Sequence, residues 1–458
     1  MKYLIFITLI GLIYSSGVFA SFLKLPYLQN LLDTSVVIRW ETITAQDGKV
    51  QYGLSILYGL EVTHLDSTTQ HELRLPSLMQ DTVYHYRVIS GPDTSPDYTF
   101  HSPVKPDKPF RFAVIGDTRT DSLAHQMVID QLLRGDPRPA FILNTGDLTE
   151  NGASSEYQTF FNIESSLLSQ VCLFPALGNH DLGNIINWHT FFALPNNERW
   201  YTFRYGNSVF HCIDNYSPYT NDSPQYNWLV NELLSDSADP TIRHIFVFFH
   251  DPPYSTNLAH SSNLTIREYL CPLFERFNIT FSFQGHNHCY ERSVVNNIHY
   301  TVSGGGGAPL HFFWGSLEPW SAYRETTYEF VLIDICGDTI SSQGIKPTGE
   351  TFDHFSIIHR PEPDRTNRLI LPYNPRLRIF PNPATGEIRI TFALQTQGMV
   401  DISIYNSSGQ KIGSVIKKNL PVGLHKLIWR KKSLASGTYL CFLNTPTFSQ
   451  SVSFRFIR

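Results

Sequence analysis

Beyond its first twenty residues the chain has no apolar run approaching the ~20 residues that a membrane-spanning helix needs, so no span is expected in the mature protein. Basic residues are in no surplus: 35 Lys and Arg stand against 40 Asp and Glu, a net charge of −5. That balance argues against broad nucleic-acid binding, which calls for a basic surface. It leaves chemistry on small molecules open. The six cysteines, at 172, 212, 271, 289, 336 and 441, form no close pairs, so no disulfide scaffold is indicated and no bridge is assigned. Cys172, Cys212 and Cys336 lie in apolar, strand-like runs and are expected in the core. Charged residues make up only 16% against 42% hydrophobic, an ordinary globular balance slightly poor in charge. At 458 residues the chain has room for about three domains of roughly 150 residues each.

Residues 1–20 have the form of a secretory leader: Lys2, the apolar stretch Leu4–Ile13, then Val18-Phe19-Ala20 before Ser21. Residues 21–103 read as all-β. Ser35–Trp40 and Val83–Val88 are rich in β-branched and aromatic residues, with Trp40 and the alternating Tyr84 and Tyr86 suited to a small sandwich. Pro103–Pro109 is a stiff, Pro-rich connection. Across 104–358, strand-like runs alternate with helical patterns, the mark of an α/β domain. Ser122–Leu133 places Leu123, Met127, Val128 and Leu132 at helical spacing. Ser223-Pro224 is an N-cap followed by Pro at N1, opening a helix with Trp228, Leu229, Leu233 and Leu234 inward. Leu264–Phe277 predicts another helix, and Ile298–Ser303 and Tyr328–Ile335 further strands. Residues 359–376 are charged and Pro-bearing, a linker to a second β module at 377–458.

Five short polar motifs punctuate the α/β part: Gly116-Asp117, Gly146-Asp147, Gly178-Asn179-His180-Asp181, Phe249-His250-Asp251 and Gly285-His286-Asn287-His288. Each follows an apolar run that reads as a buried strand. Strand ends set Asp, Asn and His along one rim of a sheet, where open α/β sheets bind ligands. Any one motif is weak: an Asp after a strand is often a helix cap, and a lone His is often a satisfied core residue. The ordered set of five points to a metal site.

In that order the motifs resemble the calcineurin-like metallophosphoesterases, and Gly285–Arg292 (GHNHCYER) resembles their purple acid phosphatase branch. The resemblance implies a four-layer αββα sandwich, here flanked by two all-β Ig/fibronectin III-like domains. It also implies a dinuclear centre of divalent or trivalent ions (Fe, Zn or Mn) with Asp147 bridging. Asp117 and His288 would complete the first metal, and Asn179, His250 and His286 the second. Metal-bound hydroxide would attack a small phosphate monoester while His180 protonates the leaving group and Asp181 holds its imidazole. Tyr290, Glu291 and Arg292 would support the fifth motif, and His189 and His260 are further candidates to line the pocket. Phosphodiesters or nucleotides are alternative substrates for the same motifs, and a surface-binding protein with an impaired site is a third reading. The C-terminal module, with Phe380–Ala384 (FPNPA), Ile404-Tyr405-Asn406, Gly409-Gln410 and Ser436–Tyr439 (SGTY), resembles type IX secretion sorting domains. That implies the secretion machinery as partner and a secreted or surface-attached protein exported through the periplasm.

Two positions depart from the resembled pattern. Many metallophosphoesterases place a His two residues after the first Asp; here it is Arg119. Purple acid phosphatases place a Tyr three residues after the second; here it is Glu150. Glu150 is a candidate replacement oxygen ligand for the first metal, and Arg119 a fixed cation whose fork suits phosphate oxygens. The glycine run Gly304–Gly307 lacks the spacing of a phosphate-binding loop and predicts a close backbone approach instead.

Overall fold

The computed structural model describes residues 22–359 and 377–457, except 381, 383, 395–396, 422, 431–433 and 446–448. The expected leader 1–20 and nearly all of the linker 359–376 lie outside the described residues. Two compact units are formed. One runs up to Tyr219 and adds Thr241–Asn263 and the stretch from Thr280; the other comprises Thr220–Pro240, Leu264–Ile279 and the C-terminal module. No helix among the described residues is long and apolar enough to cross a membrane.

The first unit opens with β1 (Phe22–Leu32), β2 (Ser35–Gly53), β3 (Leu60–Leu75), β4 (Val83–Ser90), β5 (Asp93–Thr94) and β6 (Tyr98–His101). Hydrogen bonding joins these into one six-stranded antiparallel sheet. The 19-residue β2 makes this possible. It pairs with β3 along one edge, and with β1 then β4 along the other. Trp40, Tyr84 and Tyr86 are buried as their alternation requires, and Trp40 Nε1 donates to Ser90 Oγ at 2.8 Å. Tyr27 and Tyr86 each donate to a backbone carbonyl of the following α/β part, at Phe191 and Ser169.

That part continues with β7 (Phe110–Ile115), α1 (Ser122–Leu133), β8 (Phe141–Asn144), α2 (Ser154–Leu168), β9 (Cys172–Pro175) and, after a single 3-10 turn at Asp181–Asn184, α3 (Ile185–Phe191). Next come β10 (Tyr201–Tyr205), β11 (Ser208–Cys212), α4 (Pro224–Ala238), β12 (His244–Phe248), α5 (Leu264–Tyr269), α6 (Cys271–Arg276) and β13 (Phe281–Gln284). Strands β14 (Tyr290–Val295), β15 (Ile298–Ser303), β16 (Ser321–Glu325), β17 (Phe330–Cys336), β18 (Thr339–Ile345) and β19 (Thr351–Ile358) complete it. Two mixed sheets result, in the orders β19-β18-β17-β7-β8-β9 and β10-β11-β12-β13-β15-β14-β16.

The two sheets meet through aromatic rings. Phe174 stacks on Phe203 with centroids 3.6 Å apart, and Phe112 meets Phe210 edge-on at 5.2 Å. Burying such a ring is worth about 1.5–3 kcal/mol. Strands β7, β8 and β9 run parallel and in sequence order, so right-handed crossovers set α1 and α2 on the same face, away from the second sheet. α1 has the expected bounds but turns differently: Leu123 and Met127 are exposed, while Ala124, His125, Val128, Ile129 and Leu132 are buried. His125 accounts for the rotation, since its Nε2 bonds Glu164 of α2 at 2.9 Å inside the core.

In the second unit, Ser223 caps α4 by accepting from the Tyr226 N–H; Leu229 and Leu233 are buried, whereas Trp228 and Leu234 are only half-buried. The expected helix Leu264–Phe277 is two short helices broken at Leu270; Pro272 has no backbone N–H to donate to a continuous helix. The C-terminal strands are β20 (Arg378–Phe380), β21 (Glu387–Leu394), β22 (Gly398–Asn406), β23 (Lys411–Leu420), β24 (Gly423–Arg430), β25 (Gly437–Asn444) and β26 (Ser449–Phe456). They form a three-stranded and a four-stranded sheet around one core that includes Ile390, Ile402, Cys441 and Phe454. All six cysteines are free thiols; Cys172 and Cys212 are buried as expected, but Cys336 is exposed because it ends β17 at a turn.

Candidate metal centre

All five motifs begin within three residues of the end of a β strand, and their turns are laced together. The Asp117 N–H donates to the Gly146 carbonyl at 2.9 Å, and the Gly285 N–H to the His250 carbonyl at 3.0 Å. The His286 N–H donates to Asp117 Oδ2 at 2.8 Å, and the His180 N–H to Asp147 Oδ1 at 3.0 Å. Asp117, Asp147 and His286 adopt left-handed backbone, with φ of 55°, 58° and 68°. Non-glycine residues rarely adopt this conformation, and it gathers at functional sites. Gly178 and Gly285 are needed for close approach: a Cβ on either would stand 2.1 Å from Asp147 Oδ1 or 2.4 Å from Asp117 Oδ2.

At the centre lie Asp117, Asp147 and His250, all buried. His250 Nε2 is 3.4 Å from Asp147 Oδ1, 4.0 Å from Asp117 Oδ1 and 3.3 Å from His286 Nδ1. Its other nitrogen, Nδ1, bonds the Thr145 carbonyl at 2.8 Å. A carbonyl only accepts, so Nδ1 carries a proton, and Nε2 is turned toward two carboxylates. Asp117 Oδ1 is buried with no hydrogen-bond partner. A buried carboxylate oxygen without a donor, beside a second carboxylate, is what a cation would satisfy. Charge tells the same story. Burial raises the Asp117 carboxyl well above its usual range, and the charge of Asp147 adds to this. Burial opposes protonation of His250, yet Asp147 and Asp117 outweigh it and lift the imidazole to about 10. His286 goes the other way: burial and the charge of His250 lower it to about 3, keeping it in the neutral form that metal ligation requires. Asp117, Asp147 and His250, and separately His250, Asp251 and His286, bring donor atoms within 4.8 Å of one another. These donors fit a metal ion. Asn179, exposed, joins the second group through Tyr216, whose hydroxyl donates to Asp251 and, at 3.4 Å, to Asn179 Oδ1.

The side chains expected at the first metal are arranged differently. Arg119 donates from Nε to Asp147 Oδ2 at 3.2 Å and lies with Nη2 3.3 Å from His288 Nε2. Its Nη1 bonds Glu150, which also accepts from Thr120 Oγ1 at 2.7 Å. Glu150 is therefore a partner of Arg119 and Thr120, not a free oxygen ligand: both lower its pKa, against the effect of partial burial.

Asp181 is also reassigned. Its carboxylate does not face the His180 imidazole. The 3-10 turn at Asp181–Asn184 sends it inward, where it accepts from the backbone N–H groups of Asp147, Leu148, Thr149 and Gly178 and from Thr149 Oγ1, at 2.9–3.2 Å. Asp181 thus builds the turn that carries Asp147. His180 instead fixes its Nδ1 on the Glu150 carbonyl at 2.7 Å, leaving Nε2 3.9 Å from Asp147 Oδ2 at the rim.

Around this core, His260 lies against His286 with ring centroids 3.9 Å apart and the planes tilted by 34°, and Asn287 holds its loop by bonding the His260 backbone on both sides. His189, on α3, instead pairs with Glu198 in the loop that follows. Glu291 accepts from Ser255, Thr256 and Ser321, while Tyr290 and Arg292 both bind Asp353 of the other sheet. The glycine run passes beneath the site: the Gly306 N–H bonds the Gly116 carbonyl and the Ala308 N–H that of Asp117. Sequence reasoning missed His311, stacked on His288 at 3.9 Å, as well as Tyr216 and Asp251. His311 and Tyr216 sit on loops with no periodicity to flag them; Asp251 was visible as the residue after His250.

Residues 110–290 match the calcineurin-like phosphoesterase family, and residues 378–455 the secretion system C-terminal sorting domain. The chain is 25% identical to a phosphoenolpyruvate phosphatase of Allium cepa, over 60% of its own length and 64% of the relative's. It thus spans less than two thirds of that protein. It is 24% identical to a purple acid phosphatase of Glycine max, over 68% and 78% of the two lengths. In fold it is similar to the purple acid phosphatase from yellow lupin (Lupinus luteus) seeds, with a TM-score of 0.62 at 18% identity over 75% of each chain. The chain therefore carries a calcineurin-like metallophosphoesterase domain with purple acid phosphatase relatives, followed by a secretion system C-terminal sorting domain.

Proposed function

We propose that the protein is a metal-dependent phosphoric ester hydrolase acting on small phosphate monoesters. The observation that carries this reading is the buried, unpartnered Asp117 Oδ1, which faces His250 Nε2 beside Asp147. Asp147, Asn179, His250 and His286 would hold the ion. When bound, it would supply Lewis-acid activation of water and of the phosphoryl oxygens. The chain's own residues do the rest. His180, with Nδ1 committed to the Glu150 carbonyl, has only Nε2 free to give a proton to the departing alkoxide. Arg119 offers guanidinium N–H groups to phosphate oxygens, and His260 closes the pocket over His286.

For the whole chain the proposed division is a leader at 1–20, a fibronectin III-like domain at 21–103, the catalytic domain at 104–358, a linker at 359–376 and the sorting domain at 377–458. The sorting domain indicates secretion or surface attachment, and export through the periplasm is part of the proposal. Turnover of 4-nitrophenyl phosphate compared with bis(4-nitrophenyl) phosphate tests the substrate class. The monoester is expected to be the better substrate. A preference for the diester would move the assignment to phosphodiesterase, and hydrolysis of neither would favour a binding role.

A further inference from the structure

The two sides of the Asp147 carboxylate differ in one respect. On the His250 side, Asp117 Oδ1 has no hydrogen-bond partner; it lies 4.0 Å from His250 Nε2 and 3.5 Å from His288 Nε2. On the His288 side, the acceptors already have their donor. His288 Nδ1 is 2.7 Å from the Pro309 carbonyl, so it carries the proton and Nε2 presents its lone pair. That lone pair meets Arg119 Nη2 at 3.3 Å, and Asp147 Oδ2 meets Arg119 Nε at 3.2 Å. The guanidinium is held there by Glu150, and its side chain is only 11% exposed. Among the described residues, the two groups whose donor atoms lie within 4.8 Å of one another, Asp117 with Asp147 and His250, and His250 with Asp251 and His286, do not include His288. Of the donors allotted to a first metal ion, His288 Nε2 and Asp147 Oδ2 are therefore taken by Arg119, and only Asp117 Oδ1 is left.

We propose that Arg119 stands in place of the first metal ion, so that this protein binds one ion where its fold implies two. The inference rests on the metal-held site proposed above and narrows it. A guanidinium is permanently charged and presents a planar fork of N–H donors. It neutralises Asp147 and orients His288 as an ion would, but it cannot deliver water as a nucleophile. The single ion then lies on the side of Asn179, His250 and His286, and the substrate phosphate is bound between an ion and an arginine.

The test uses the purified full chain loaded with Mn²⁺ and freed of excess by gel filtration. Bound metal is counted by elemental analysis, and its environment is read by electron paramagnetic resonance. The wild type is expected to hold one Mn²⁺ per chain with the six-line spectrum of an isolated ion. His288→Ala should still hold one, and His250→Ala should hold none. Arg119→His, which frees Asp147 and His288 and adds an imidazole, should approach two. Two ions in the wild type with an exchange-coupled spectrum would overturn the inference while leaving the phosphoesterase reading intact. A single ion in Arg119→His would overturn the claim that the guanidinium excludes the second. No bound ion in the wild type would overturn both the inference and the reading it rests on.

Discussion

At the scale of single residues, neighbours in sequence have separate tasks. His180 and Asp181 adjoin, yet one faces the site and the other faces the backbone beneath it. His180→Ala is expected to lower turnover on alkyl phosphates far more than on 4-nitrophenyl phosphate, because a general acid matters most for a basic leaving group. Equal losses on both would assign His180 to positioning. For Asp181, burial and the charge of Asp147 raise its pKa and the N–H groups of Gly178 and Leu148 lower it. Only the ionised form accepts from every donor around it. In Asp181→Asn an amide NH₂ would confront backbone N–H groups. We expect a loss of roughly 1–3 kcal/mol, the cost of leaving buried donors unpaired, read as a lower urea midpoint. A variant as stable as wild type would show that the turn does not depend on the carboxylate. The sequence made both residues candidates, but adjacency suggested a His–Asp pair; the sense of a single 3-10 turn, which decides where the carboxylate points, left no periodic trace.

At the scale of elements, the strand ends were legible because a buried strand is a run of apolar residues that stops abruptly at a polar turn. Ile298–Ser303 and Ser122–Leu133 were readable to the residue for the same reason. The face of α1 was not: Leu123 and Met127 look inward by composition, but the buried His125–Glu164 contact sets the rotation. Turn geometry yields its own prediction. Gly178→Ala would drive a Cβ into Asp147, so it should lower Mn²⁺ affinity at least tenfold while circular dichroism shows the fold retained. Unchanged affinity would mean that the turn relaxes freely. In the N-terminal sheet, His71 is buried against Trp40, with rings 4.6 Å apart, and bonds Thr42 and His64. Burial, aided by the charge of His64, lowers its pKa to about 4 from 6.5. The neutral form is thus the one that the fold favours. Its contribution to stability is present above pH 6.5 and is lost as pH falls toward 4. The urea midpoint of wild type should drop across that window by more than that of His71→Gln. Parallel profiles would rule out His71 as the titrating group.

At the scale of the whole molecule, the α/β architecture and the C-terminal module were legible because each carries ordered landmarks over a long span. The joining of β1–β6 into one sheet was not, since nothing in the composition of β2 announces that it pairs with three other strands. Nor could Arg119 and Glu150 be paired from the sequence: they are 31 positions apart, and only the folded turns bring them together over Asp147. We propose that this protein hydrolyses phosphate esters through a metal ion held by Asp147, Asn179, His250 and His286. The most direct measurement is hydrolysis of 4-nitrophenyl phosphate by the full chain before chelation, after chelation and after return of Mn²⁺ or Zn²⁺. The account predicts that activity falls at least a hundredfold on chelation, returns with metal in the wild type, and does not return in His250→Ala. Activity that survives complete removal of metal, or that His250→Ala retains, would contradict it.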